Sequence, residues 1–304
     1  MSQIAPVLLF TYKRLDTLKE TVGKLKDNQL ADESELYVFS DAAKYEKDRE
    51  TINEIRAFIK TIKGFKSVYI YEAETNMGLA KSIINGVSKV FEKHDQLIVL
   101  EDDLSTSPNF LSFMNAALMK YKNEKNAFSV SGYSFNLGSA SQKNDDDAYF
   151  LNRGWSWGWA TWKDRWLQID WEVKDYSTFS GDQVLRRDFA KGGSDLNSML
   201  DKQMKGELDS WAIRWFYWQF KCKGLTLYPK TSKVFNNGFD KDATHTNGAV
   251  RRYLPLFDSE GKIDFRLPSV VEVDAYYQRR FSEKMGIRAR ILSKLETLFL
   301  KIFR

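Results

Sequence analysis

The sequence predicts an α/β protein built on a mostly parallel sheet with helices on both faces. Two observations predict it. Over the first 135 residues, short aliphatic and β-branched runs alternate with longer stretches of helical periodicity. The chain also has 304 residues, of which 43% are hydrophobic and 14% aromatic, enough to bury a full core.

The first strand is APVLLFTY. Leu15, Leu18, Val22 and Leu25 then recur at the spacing of one helix face. LYVFSD follows as a second strand, and Ile52, Ile55, Ile59 and Ile62 mark the next helix. SVYIYEA, a helix opening at NMGLAKSIINGVSKVF, QLIVLE, a helix capped by Ser107 with Pro108 in its first turn, and AFSVSGY continue the series. In an open sheet of this kind ligands lie outside the carboxyl ends of the strands. The strand ends therefore name a candidate site: Thr11 to Arg14, then Ser40 and Asp41, then Glu74, Asn76 and Gly78, and finally Glu101, Asp102 and Asp103. Three adjacent carboxylates repel one another unless a cation or hydroxyl groups lie close by.

From about residue 136 the texture changes. SASQKNDDDAYF reads as a polar loop, and GWSWGWATWKDRW follows it. Trp155, Trp157 and Trp159 alternate as in an extended segment, whereas Trp159, Trp162 and Trp166 share a helical face, which places a strand-to-helix switch near Trp159. Trp162 and Trp166 read as core. Trp155 and Trp157, flanked by Gly154, Ser156 and Gly158, suit a platform for a sugar ring. LDSWAIRWFYWQFKCKG reads as a helix stopped by Gly224, and LTLYPK as a strand.

Composition narrows the chemistry. Cys222 is the one cysteine, so an intrachain disulfide is excluded and a reducing compartment fits. With His94 and His245 as the two histidines, His-rich and Cys-rich zinc sites lack their ligands, and any metal site is oxygen-rich. The N-terminal apolar run is too short for a secretory signal, and no stretch reaches the ~20 apolar residues of a membrane span. These features predict a cytoplasmic protein. Residues 276–304 carry eight Lys and Arg against two Asp and Glu, while the rest of the chain is nearly neutral, which speaks against nucleic-acid binding.

At Glu101-Asp102-Asp103 the chain resembles nucleotide-sugar glycosyltransferases of the GT-A fold, particularly the bacterial family-two enzymes and the inverting N-acetylglucosaminyltransferase I type. PVLLFTYKR, Ser40-Asp41 and NMGLAKSIINGV resemble further family segments in the same order. The resemblance implies an acidic triplet whose last member, Asp103, binds Mn²⁺ or Mg²⁺ on the donor diphosphate, with Glu101 and Asp102 near ribose or sugar hydroxyls. It places Thr11 and Arg14 near uracil and diphosphate, Asp41 on the base, and Asn76 and Gly78 beside the donor. LDSWAIRW is similar to the segment carrying the catalytic base, a role that falls to Asp209, with Glu207 as its neighbour. Asp209 equally suits the N-cap of the following helix. NNGFDKDATHTNG resembles a loop over the diphosphate, where His245 and Lys241 would offset leaving-group charge.

These readings imply a nucleotide-sugar-binding half at 1–135 and an acceptor-binding half of the same domain at 136–275, with Trp155 and Trp157 on the acceptor side. The implied activity is inverting, metal-dependent transfer of a hexosyl or N-acetylhexosaminyl group from a UDP-sugar to a glycan or lipid-linked acceptor in bacterial surface polysaccharide synthesis. A sugar nucleotidyltransferase would need a glycine-rich phosphate loop that TYKRLDTL lacks. A non-catalytic carbohydrate-binding protein of the same fold is the other alternative. Residues 276–304 predict a basic amphipathic helix, with Phe281, Met285, Ile291, Leu292, Leu295, Leu298, Phe299 and Ile302 on its apolar side. Such a helix suits an anionic membrane surface, making the protein peripheral on the inner face of the cell membrane, or it docks on the domain or a dimer partner.

Overall fold

The structure, a computed structural model, describes residues 4–138, 145–238 and 250–302. In the first part of the chain, β1 (Val7–Thr11), β2 (Glu35–Ser40), β3 (Ser67–Glu72) and β4 (Gln96–Glu101) alternate with α1 (Leu15–Lys26), α2 (Arg49–Ile59) and α3 (Leu79–Val90). Then come β5 (Leu104–Thr106), α4 (Phe110–Lys120), β6 (Ala127–Ser131), β7 (Ala148–Leu151) and β8 (Trp159–Trp162). Five helices follow: α5 (Lys163–Trp166), α6 (Tyr176–Gly181), α7 (Gln183–Ala190), α8 (Leu196–Met204) and α9 (Trp211–Lys221). The described chain ends with β9 (Leu225–Pro229), β10 (Val234–Asn236), α10 (Ala275–Met285) and α11 (Ile287–Ile302).

Eight strands form one sheet in the order β3-β2-β1-β4-β8-β6-β9-β7. β1 to β4 run parallel, β8 runs antiparallel to both β4 and β6, β9 runs parallel to β6, and β7 returns antiparallel at the edge. The expected α/β class, a mostly parallel sheet covered by helices on both faces, is therefore found. The central strands are buried end to end, as VLLFT in β1 and LIVL in β4 require.

One core lies under α1, α2 and α4 and contains Leu18, Ile55, Ile59, Phe110 and Met114. The other lies under α3 and α9 and contains Ile83, Val87, Trp159, Trp166 and Trp215. The tryptophan segment resolves differently from its spacing. The strand runs from Trp159 through Trp162 and the helix starts only at Lys163. Three residues apart on a strand means opposite faces. Trp159 thus stacks on Trp166 at 5.6 Å in one core, while Trp162 enters the other and donates Nε1–H to the Leu118 carbonyl.

Three helix ends also depart from expectation. The helix expected to start at Pro108 begins at Phe110, because Ser107 Oγ bonds Asn109 rather than capping the helix. Ser210, and not Asp209, is the N-cap of α9, accepting from the Ile213 N–H. At the other end of α9, Lys223 takes the left-handed conformation (φ 52°), and Gly224 N–H closes back on the Gln219 carbonyl.

The tail is two helices divided at Gly286, not one. α10 is docked: Tyr277, Phe281 and Met285 are buried, and Tyr277 stacks on Tyr149 at 3.9 Å. Phe281 and Met285 therefore belong to the core and not to a lipid-facing stripe. No described helix is long and apolar enough to cross a membrane.

Candidate functional site

The strand order reverses direction between β1 and β4: β2 and β3 continue on one side of β1, and β4 starts the other. Helix connections diverge at such a point and leave a crevice at the carboxyl ends. A cleft of about 1030 Å³ opens there. Thr11, Arg14, Asp41, Asn76, Gly78, Glu101, Asp102, Asp103, Trp155, Trp157 and Asp209 all line it. His245 and Lys241 lie outside the described residues.

The adjacent carboxylates of the triplet turn to different partners. Asp102 turns inward and accepts from the Thr11 hydroxyl (2.8 Å) and the Tyr12 N–H (3.0 Å), while its carbonyl accepts from Thr21. Burial raises its pKa despite those hydrogen bonds and the nearby Arg14 charge. Asp103 turns the other way and pairs with Arg14 at 3.1 Å. Glu101, the last residue of β4, is left on the cleft floor. Burial raises its pKa well above the ordinary value, the Asp103 and Asp102 charges add to the rise, and Arg14 opposes them.

The β5–β10 ribbon brings a distant segment onto this triplet, pairing Leu104 with Asn236. Asn237 N–H donates to the Asp103 carbonyl at 2.8 Å, and Gly238 N–H to the Asn236 side chain at 2.6 Å. A Cβ on Gly238 would lie 2.0 Å from Asp103 Oδ2 and 2.9 Å from Arg14 Nη1. A side chain at this position would have to displace the Asp103 carboxylate or the Arg14 guanidinium.

Asp41 has an architectural task. One oxygen accepts from the Ala42 and Met77 N–H groups, and the other from the Gly78 N–H and the Asn76 amide. All four acceptor positions of the carboxylate are thus engaged by the protein. The group fixes the loop before α3, where Gly78 adopts φ 76°, and its negative charge sits favourably at that helix's N-terminus.

On the far side of the cleft Trp155 is buried, stacked on Tyr133 at 5.4 Å and edge-on to Trp157, so that it is a core residue with one border on the cleft. Trp157 is partly exposed. Asp209 is 71% exposed and stands 3.5 Å from Arg214. Glu207 is outside the cleft lining.

The sequence reading missed a buried ion pair in the same wall. Both terminal guanidinium nitrogens of Arg153 bond Asp195, at 2.8 and 2.9 Å, with Gly193 (φ 149°) giving the arginine room. Burial would lift the Asp195 pKa, but the charge and hydrogen bonds of Arg153, with Arg290 nearby, lower it. The Gly192-Gly193 pair was the available signal for a close approach of backbone to a side chain.

Among the described residues no three His, Cys, Asp or Glu side chains form a group that could hold a metal ion. Within its described residues the chain preassembles no such group. Its donor set, Asp103 beside a cleft, matches the alternative in which one or two carboxylates share an ion with substrate phosphates and water.

No protein-family model matches the chain, and no curated protein matches it in sequence. Among solved structures it is similar to the mannosyltransferase PcManGT from Pyrobaculum calidifontis, solved with GDP-Man and Mn²⁺, at 13% identity over 44% of this chain and 36% of that one (TM-score 0.32). It is similar to S. aureus TarS at 11% identity over 76% and 36% (TM-score 0.44). A putative nucleotide-diphospho-sugar transferase from Desulfovibrio desulfuricans G20 matches at 13% identity over 59% and 76% (TM-score 0.32). The chain thus spans about a third of the length of the first two.

Proposed function

We propose that the protein is a GT-A-like, inverting glycosyltransferase that moves a hexosyl or N-acetylhexosaminyl group from a UDP-sugar to a glycan or lipid-linked acceptor of bacterial surface polysaccharide. The observation that carries this reading is the order of groups across the switch-point cleft. Phe39 and Tyr71 line its β2–β3 end, Arg14 and the carboxylates occupy the β1–β4 centre, and Trp157 and Asp209 the β8–α9 end. A planar base, a diphosphate, a sugar and an acceptor, laid in sequence, meet suitable chemistry at each step.

In this reading Asp209 takes the proton of the acceptor hydroxyl while its oxygen attacks the anomeric carbon from the face opposite the leaving group. The bond to the diphosphate oxygen breaks, and the charge that develops there lies near Arg14 and Lys13. Asp103 and the diphosphate oxygens would together hold Mn²⁺ or Mg²⁺, and the ion supplies charge stabilisation to the departing phosphate when bound.

The test is a melting-temperature panel of nucleotide sugars with and without Mn²⁺, followed by UDP release with an acceptor extract. A donor present at 100 times its Kd adds about 2.7 kcal/mol. Asp103→Ala is expected to remove the metal-dependent part of that gain. No response to any nucleotide sugar, or the same metal dependence in folded Asp103→Ala, would overturn the reading.

A further inference from the structure

The first half of the tail is occupied in holding the second half in place. α10 is sewn to the sheet by Tyr277, Phe281 and Met285, and Arg290 in the first turns of α11 reaches Asp195 at 4.0 Å. Met285 and Asp195 both line the cleft, so α11 starts beside its rim at a fixed place. Beyond that anchor the helix turns large aliphatic side chains to solvent. Ile287, Ile291, Leu292 and Leu295 are 67%, 52%, 66% and 55% exposed. At 100° per residue these four fall within an arc of about 140°, one helix face and not a scatter of surface residues.

We infer that this face of α11 is a docking surface for an anionic lipid bilayer, which holds the cleft rim at the membrane. The charge on the page selects the occupant. The tail from residue 276 holds eight Lys and Arg against two Asp and Glu, on a protein otherwise nearly neutral. Arg288 is exposed within the aliphatic arc itself, where its long stem can lie along apolar surface and its guanidinium can meet phosphate. A second copy would bring the same positive charge against itself, whereas anionic headgroups complement it. The inference does not rest on the transferase reading, since vesicle binding requires neither donor nor catalysis.

The experiment is co-sedimentation of the full chain with vesicles of phosphatidylcholine alone and of phosphatidylcholine mixed with phosphatidylglycerol. Binding is expected to the mixed vesicles only, and to weaken about ten-fold or more from low to high salt. The triple variant Ile291→Glu, Leu292→Glu, Leu295→Glu should lose binding while keeping the parent melting temperature. Arg288→Glu, a single exposed change, should weaken it and steepen nothing else. Failure of the full chain to bind mixed vesicles at low salt would overturn the inference. So would retained binding by the triple variant, or a dimer in sedimentation equilibrium that the triple variant dissolves.

Discussion

Glu101 sits where β4 runs out, half-buried on the cleft floor with two carboxylates following it. Because its folded-state pKa is raised, the native state keeps the proton to higher pH than the unfolded chain does. The stability that protonation lends is complete below the ordinary value of 4.5 and is lost as pH rises through the folded value. Glu101→Gln is therefore expected to melt above the parent at neutral pH, with the two curves meeting below pH 4.5, as a pH series of melting temperatures will show. Gly238 makes the complementary case. Gly238→Ala must push Asp103 or Arg14 aside, yet both end at the cleft and not in a core. Its cost is expected in donor affinity, about ten-fold or more by titration, with unfolding free energy changed by only about 1 kcal/mol.

At the scale of elements, Ser210 takes the cap that the sequence offered to Asp209. Acid before an apolar-periodic helix suits a cap, and the pattern cannot say which of two adjacent side chains turns back on the backbone. Here Ser210 does so. Ser210→Ala should cost about 1 kcal/mol of stability by chemical denaturation and leave chemistry largely intact. Asp209→Asn should do the reverse, lowering turnover about 10²- to 10⁴-fold at unchanged donor affinity. Near-normal turnover in Asp209→Asn would place the base elsewhere. The alternating elements of the first half were legible because each strand is a short aliphatic run and each helix keeps a 3.6-residue stripe, as Ile52, Ile55 and Ile59 do. What stayed hidden was set by tertiary neighbours. β7 lay at the end of an apparently polar loop, and pairing with β9 sets its four residues as a strand. β5 and β10 are three residues each and exist as each other's partner. The strand ends named the cleft lining around β1 to β4, but the Arg153–Asp195 pair was missed, because Gly192-Gly193 signals a close approach without naming what approaches, and nothing local brings residues 42 positions apart into contact.

At the scale of the molecule, the sheet interleaves what the chain separates. β4 and β6 belong to the first 131 residues but never touch as neighbours, because β8, contributed by residues 159–162, hydrogen-bonds to both. A fragment ending at residue 135 would leave the facing edges of β4 and β6 unpaired, each a ready template for another chain. Expressed alone it is expected to aggregate, and co-expression with residues 136–304 to restore part of it to solution. Equal solubility of the lone fragment would contradict this. During synthesis the same arrangement sets a delay. The first four strands leave the ribosome in an order that lets them associate at once, while the β4 edge waits for some sixty further residues before its partner is available. The buried tryptophans of β8 thus meet a nascent sheet already waiting, and the open edge of β4 lasts for the time it takes to translate from Glu101 to Trp162.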